Sequence, residues 1–325
     1  MSRKALIFGV SGQDGALLAR LLADRNYQVH GTSRDAQVAV LGNLDRVGVR
    51  DQVTMHSAVT TDFRSVLQVL SKVAPDEVYL LAGQSSVGLS FEQPVETLES
   101  IALGTLNLLE AIRFLGLETR LYNAGSGECF GELLQPATEE TAFRPRSPYA
   151  VAKASAHWTV ANYREAYGLY ACTGILFNHE SPLRPSRFVT RKVVAAASRI
   201  AAGSGERLKL GNLDIERDWG WAPEYVQAMW LMLQQPAAED FIIATGKAHS
   251  LRQFVETAFD ELGLDWLAHV DIDDNLRRPT DIAHSIGSPE KADRILHWRA
   301  NLGLRDLIRF MLAAEQGQPW PMVAS

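Results

Sequence analysis

The segment Gly9-Val10-Ser11-Gly12-Gln13-Asp14-Gly15 constrains this chain more than any other. It joins the apolar run 4–9 (KALIFG) to residues 15–26, where leucines and alanines recur at helical spacing. A short apolar run of this kind suits a strand buried on both faces of a parallel sheet. Glycines between such a strand and a helix permit a tight turn and let the backbone approach a ligand closely. The free N–H groups of the helix's first turn then offer a cradle for a pyrophosphate, backed by the helix dipole. The glycine spacing is weak evidence alone and gains weight only from its place in the chain.

That place is the start of an alternating pattern. Residues 27–34 (YQVHGTSR), 53–58, 77–82 (EVYLLA) and 119–124 (TRLYNA) read as further strands, and 103–115 as a strongly apolar helix. Such alternation predicts an α/β fold, a doubly wound parallel sheet of the Rossmann type. Ser147 fits a helix N-cap and Pro148 the first helical position, opening a helix that runs to about Ala166 before Gly168. Residues 170–178 (YACTGILFN) and 240–245 (DFIIAT) read as strands, and 192–202 and 250–262 as helices.

At 325 residues the chain is long for one simple core. The expected division is a dinucleotide-binding domain over 1–178, with a returning segment near 213–246. A smaller mixed α/β C-terminal substrate domain would be built from 179–212 and 247–325. Trp158, Trp219 and Trp230 read as core residues, and the tail after Gln316 as frayed.

Composition excludes several classes. A net charge of −6 disfavours nucleic acid as a partner. Two cysteines, Cys129 and Cys172, make no disulfide framework and no paired metal-ligand spacing, so no metal is expected. They read as reduced thiols of a cytoplasmic protein. Because the N-terminus enters a strand almost at once, no signal peptide is expected, and without an apolar run long enough for a membrane helix no membrane partner is expected.

Candidate chemistry lies in two places. Tyr149-Ala150-Val151-Ala152-Lys153 puts a phenol and an ammonium on one helix face. The cation would favour the phenolate and lower the tyrosine pKa toward that of a general base. Lys153 is also placed to hold a cofactor ribose. Ser126, in Gly125-Ser126-Gly127-Glu128, ends the fifth strand, where ligands of open α/β sheets bind. Its hydroxyl would bond the substrate oxygen that Tyr149 deprotonates; the plain alternative is a turn serine. Glu128 follows two residues later and would move a carbon-bound proton and protonate a leaving hydroxyl; the alternative is a surface glutamate.

The cofactor set is Gly9, Gly12, Gln13, Asp14, Gly15, Arg34, Leu81, Ala82, Tyr149 and Lys153. A basic residue at the end of the second strand suits the 2′-phosphate of NADP, an acidic one the ribose of NAD. Arg34 stands there beside Asp35, so NADP is the first expectation and NAD the second.

Together these features resemble the extended short-chain dehydrogenase/reductase superfamily. Within it, residues 144–153 (RPRSPYAVAK), 174–182 (GILFNHESP), 188–192 (FVTRK), Leu210-Gly211-Asn212, Arg217-Asp218-Trp219-Gly220, 228–235 (AMWLMLQQ) and 239–246 (EDFIIATG) resemble the GDP-mannose 4,6-dehydratase family. The resemblance runs from the glycine loop to Leu302. It implies that Tyr149 takes the proton of the sugar 4-hydroxyl while hydride leaves C4 for NADP⁺. Glu128 then removes the C5 proton and helps expel the 6-hydroxyl, and hydride returns to C6. It implies a GDP-linked sugar held by Asn178, Lys192, Arg217 and Arg278, to which Ser85 and Gly211 are added, and a homodimer or homotetramer. His179 and Glu180 are given no chemistry.

The chain departs from the family pattern at three points. Gly125-Ser126-Gly127 replaces a run of hydroxyl residues, His56-Ser57-Ala58-Val59 replaces a Gly-Asp pair, and the basic loop after the second strand is reduced to Arg34-Asp35. Two other functions therefore stand beside the dehydratase: an epimerase or reductase on a related nucleotide sugar, and a cofactor-binding protein without turnover.

Overall fold

The computed structural model describes residues 2–276 and 280–322. The N-terminal apolar run becomes β1 (Lys4–Phe8), whose Ala5, Leu6, Ile7 and Phe8 are fully buried. Both faces of this strand are covered, which is why its sequence does not alternate. There follow α1 (Gln13–Asp24), β2 (Gln28–Ser33), α2 (Gly42–Arg46), β3 (Val53–Ser57), α3 (Phe63–Val73) and β4 (Glu77–Leu80). Next come α4 (Val87–Glu92), α5 (Pro94–Leu98), α6 (Gly104–Leu115), β5 (Arg120–Ala124), α7 (Pro148–Tyr167) and β6 (Ala171–Leu176).

The remaining elements are β7 (Asn178–Glu180), α8 (Val189–Ala201), β8 (Leu208–Leu210), β9 (Glu216–Trp221), α9 (Ala222–Leu233), β10 (Phe241–Ile243) and β11 (Ala248–Ser250). The chain closes with α10 (Leu251–Asp260), β12 (Val270–Ile272), β13 (His284–Ser285), α11 (Glu290–Leu296) and α12 (Leu304–Glu315).

Seven strands form one parallel sheet in the order β10-β6-β5-β4-β1-β2-β3. Helices α1 and α9 pack on one face through Leu17, Leu21, Met229 and Met232. Helices α3, α6 and α7 cover the other through Val66, Leu108 and Val160. The strand order reverses between β1 and β4, so a crevice opens beyond their C-terminal ends. A second core gathers α8, β8, β9, α10, β12 and α12 around Trp219, Phe254 and Met311.

The long helix starts and stops as its sequence predicts. The Ser147 side chain accepts from the Ala150 N–H, Pro148 is the first helical residue, and Gly168 ends the helix in the left-handed region.

Several expectations are revised. The strand expected over 170–178 breaks at Phe177: β6 stays in the main sheet, while β7 leaves it to pair with β9. Strand β9 lies within the segment expected to return to the first domain, yet it forms a separate sheet with β7, β11 and β13. Only α9 and β10 return to the main sheet. Conversely Ala292, Leu296 and Trp298, expected in the substrate domain, pack in the first core. The tail's described residues, through 322, are docked rather than frayed, because Trp320 meets Trp221 edge-on with ring centroids 5.8 Å apart. A bulky indole covers enough apolar surface to offset the ordering of a short tail. Trp219 is buried and Trp230 partly buried, but Trp158 is 62% exposed. Among the described residues, no helix is long and apolar enough to cross a membrane.

Candidate active site

The glycine loop is built by backbone contact. Gly9 has φ +88°, and a Cβ there would stand 2.8 Å from the Ala82 nitrogen. A Cβ on Gly15 would meet the Gly9 carbonyl oxygen at 2.2 Å. Both positions therefore demand glycine, one for conformation and space, the other for space alone. The Gly12 N–H donates to the Gly9 carbonyl at 3.1 Å, and Gly12 caps α1. Leu81 and Ala82 follow β4 directly beside this turn; Leu81 N–H donates to the Phe8 carbonyl at 3.0 Å. The bare cradle, shaped by Gly9, Gly12 and Gly15 at a helix N-terminus, fits a dinucleotide pyrophosphate.

Gln13 and Asp14 point elsewhere. Gln13 Nε2 donates to Asp14 Oδ1 at 2.9 Å and to the His179 carbonyl at 3.2 Å, while its Oε1 accepts from Ser181 Oγ at 2.9 Å. Asp14 Oδ2 faces His179 Nε2 at 2.9 Å. These side chains tie the loop to β7, so their link to a cofactor runs through the loop's shape. Arg34 is exposed at the turn after β2. Its neighbour Asp35 accepts from the Gln37 N–H at 2.9 Å, a local turn bond.

The candidate catalytic side chains converge on the end of β5. Ser126 caps a short 3₁₀ turn (Gly127–Phe130), accepting from the Glu128 N–H at 3.3 Å. That turn folds Glu128 back beside Ser126. Gly125 and Gly127 leave no room for larger residues: a Cβ would stand 2.7 Å from the Thr173 methyl and 3.0 Å from the Phe177 ring. Tyr149, the second residue of α7, hydrogen-bonds Ser126. Lys153 Nζ donates to the Ala124 carbonyl at 2.6 Å and lies 5.8 Å from the Tyr149 ring centre.

The electrostatics correct one expectation. Burial drives the Tyr149 phenol up rather than down, and the opposing influences are its bond to Ser126 and the charge of Arg184. Lys153 uses one of its donors on the Ala124 carbonyl. Its own pKa falls to about 8 through burial, against the pull of Cys129 and Asp14. Cys129 itself is buried and pushed up to about 12, an inert thiol.

Of the expected substrate residues, Asn178 and Arg217 lie on the second sheet, Lys192 on α8, Gly211 after β8 and Ser85 in the loop after β4. Asn178 opens β7 and pairs with Trp219 on β9. Arg217 on β9 is 4% exposed, with Nη1 donating to the Glu216 carbonyl at 2.9 Å and Nη2 reaching Asp281 at 3.4 Å. Lys192 on α8 donates to the Lys209 carbonyl at 2.7 Å. Gly211 lies just past β8, where a Cβ would stand 3.2 Å from the Leu276 carbonyl oxygen. Ser85 Oγ accepts from Arg187 Nη2 at 3.2 Å. Arg278 lies outside the described residues.

Sequence reasoning missed three residues here. Arg184 reaches Glu180 at 3.3 Å, and its charge bears on both Tyr149 and Asp14. The arginine-rich stretch 181–187 was its only signal. Asp218 accepts from the N–H groups of Thr245 and Gly246, both at 2.9 Å, and shapes the turn after β10. His179 had no local signal, since its partner stands 165 residues away.

The family model described as GDP-mannose 4,6 dehydratase matches residues 6–311. GDP-mannose 4,6 dehydratase 1 of Arabidopsis thaliana is 43% identical over 318 residues, covering 95% of this chain and 88% of that protein. The GDP-mannose 4,6-dehydratase of Sinorhizobium fredii is 44% identical over 328 residues, covering 93% of each. Among solved structures, the NAD complex of UDP-glucose 4-epimerase from Thermus thermophilus superposes with a TM-score of 0.85 at 26% identity, covering 97% of this chain and 99% of that one. On the family match and these identities, the chain belongs to the GDP-mannose 4,6-dehydratase family.

Proposed function

We propose that the protein is a nucleotide-sugar 4,6-dehydratase, a hydro-lyase that converts GDP-mannose to its 4-keto-6-deoxy sugar with NADP. The observation that carries this is Glu128 on the same short turn as Ser126, which itself bonds Tyr149. A dehydrogenase needs the serine, tyrosine and lysine alone; a second acid–base group beside them allows elimination. The glycine cradle and Lys153 would hold the cofactor, which when bound accepts hydride from sugar C4 and returns it at C6. Tyr149 takes the 4-hydroxyl proton, with Ser126 orienting that oxygen. The 4-keto group acidifies the C5 hydrogen, so Glu128 removes it as a proton and donates a proton to the departing 6-hydroxyl. Reduction at C6 requires a proton at C5, and the proton that Tyr149 took from the 4-hydroxyl balances it; net loss is one water, and the sugar's oxidation and reduction cancel.

Arg217 offers a planar fork for the diphosphate, and Asn178 and Lys192 supply further donors. NADP rather than NAD is supported by Arg34 standing exposed while Asp35 is occupied within its own turn. The same reading includes a homodimer. Leu103 and Leu106 on the α6 side, with Val151 and Trp158 on α7, leave an apolar face exposed on two adjacent helices. A cytoplasmic location is supported by the two unpaired cysteines.

Incubation of the chain with GDP-mannose and NADP⁺ is expected to give the 4-keto-6-deoxy product, and absence of a keto product from any nucleotide hexose rejects the reading. Glu128→Gln is expected to slow that reaction about 10²–10³-fold. Unchanged turnover in this variant would favour an epimerase or reductase.

A further inference from the structure

His179 is enclosed by partners that fix its charge. Its Nδ1 lies 2.7 Å from the Phe177 carbonyl oxygen, which only accepts, and its Nε2 lies 2.9 Å from the Asp14 carboxylate, which accepts when ionised. A ring with an acceptor at each nitrogen satisfies both only as an imidazolium. The ring stacks on Tyr225 of α9 with centroids 4.7 Å apart and is 7% exposed. The charged groups around it are Asp14 on α1, Arg184 after β7 and, beyond Asp14, Lys153 on α7. Burial alone would neutralise the histidine, yet Asp14 holds its pKa above the ordinary value, and His179 in turn brings Asp14 down to about 2.

The pair spans the junction that hydride transfer must cross. Asp14 and Gln13 belong to the cofactor loop. His179 sits on β7 between Asn178 and Glu180 and pairs with Gly220 of β9, the strand that carries Arg217. Ser181 adds a second strut through Gln13. A shift of β7 against the glycine loop would move the sugar site relative to the nicotinamide site.

We propose that His179 is a positioning residue: clamped as a cation between Asp14 and the Phe177 carbonyl, it sets the distance between the cofactor loop and the nucleotide-sugar sheet. This rests on the dehydratase reading for its assay. Misplacement of reacting groups by about 1 Å costs up to about 10²-fold in rate.

His179→Gln is therefore expected to lower kcat about 10–100-fold while the KM for GDP-mannose and the Kd for NADPH stay within about threefold. Asp14→Asn is expected to do the same, and the double variant to lose little more than either single one. Should His179→Gln fold poorly, Ser181→Ala, which removes the second strut alone, is expected to lower kcat about threefold at unchanged KM. An unchanged kcat, additive losses, or a loss matched by the unfolded fraction would overturn the proposal. If the wild-type chain turns over no nucleotide hexose, the dehydratase reading fails by itself. The positioning claim is then read from the fluorescence of bound NADPH, which must change alike in both single variants and no further in the double; unaltered fluorescence overturns it.

Discussion

Asp14 and Asp218 are two largely covered carboxylates, one beneath the cofactor loop and one behind the nucleotide-sugar sheet, and they behave in opposite ways. Asp14 faces an imidazolium, and its pKa falls to about 2 although burial opposes the charge. Asp218 is fully buried and meets neutral donors, the N–H groups of Thr245 and Gly246 and the Thr245 hydroxyl at 2.7 Å. Burial dominates there and its pKa rises to about 6. Neutral dipoles orient a carboxylate without fully replacing its lost hydration; an opposite full charge does. The cofactor side is thus assembled by charge, and the β9 side by a carboxylate gathering backbone into a turn.

On the proposed function the comparison extends to roles: the cofactor side would hold the reacting groups and the β9 side the groups that bind. The largest expected effect tests that division on the chemical side. Tyr149→Phe should lower kcat about 10³-fold, with NADPH affinity and folded stability little changed. Loss of cofactor binding in that variant would show that Tyr149 is mainly a binding group.

Stability against pH separates the two aspartates. The raised pKa of Asp218 gives stability that is complete below its unfolded value, near 3.8, and lost as pH rises through about 6. Two pKa units correspond to about 3 kcal/mol. The depressed pKa of Asp14 works the other way: its contribution is present above 3.8 and disappears as pH falls toward 2. Urea unfolding between pH 4 and 7 should show the Asp218 limb, and Asp218→Asn should flatten it while the acid limb persists. A wild-type profile flat across that range would remove the contrast.

The smallest effect belongs to the binding side. Arg217→Gln should raise the KM for GDP-mannose about 10–30-fold with kcat within about threefold, because a bidentate charge-assisted contact is weakened in ground and transition state alike. A collapse of kcat at constant KM would instead place Arg217 among the reacting groups.

Much of the cofactor side was legible beforehand. The glycine loop, the Ser147-Pro148 cap, the Tyr149–Lys153 spacing and Glu128 two residues after Ser126 are all read over a few neighbouring residues. The β9 side was less so. Strand β9 was not read as a strand, only as part of a segment returning to the first domain, and the break at Phe177 passed unseen in a continuous apolar run. Trp158 resembled a core residue by type alone, and the docking of Trp320 depends on Trp221, far away in sequence. Burial outweighs the Tyr149–Lys153 spacing at the phenol, because helical spacing sets which side chains are neighbours but not how deeply they are covered.

Short-range geometry is legible in the residues alone: the strand–turn–helix with its three glycines, the alternating strands and helices, the family, and the candidate acid–base residues Glu128 and Tyr149, each beside a local turn or cap. How the main sheet joins the sheet around β9, and which buried groups carry charge, emerged from contacts between distant parts of the chain. The Asp14–His179 pair, the turn held by Asp218 and the upward shift of Tyr149 all arise from burial and from partners distant in the chain. A pKa responds to the whole environment in which a side chain is buried, and no local spacing encodes that environment.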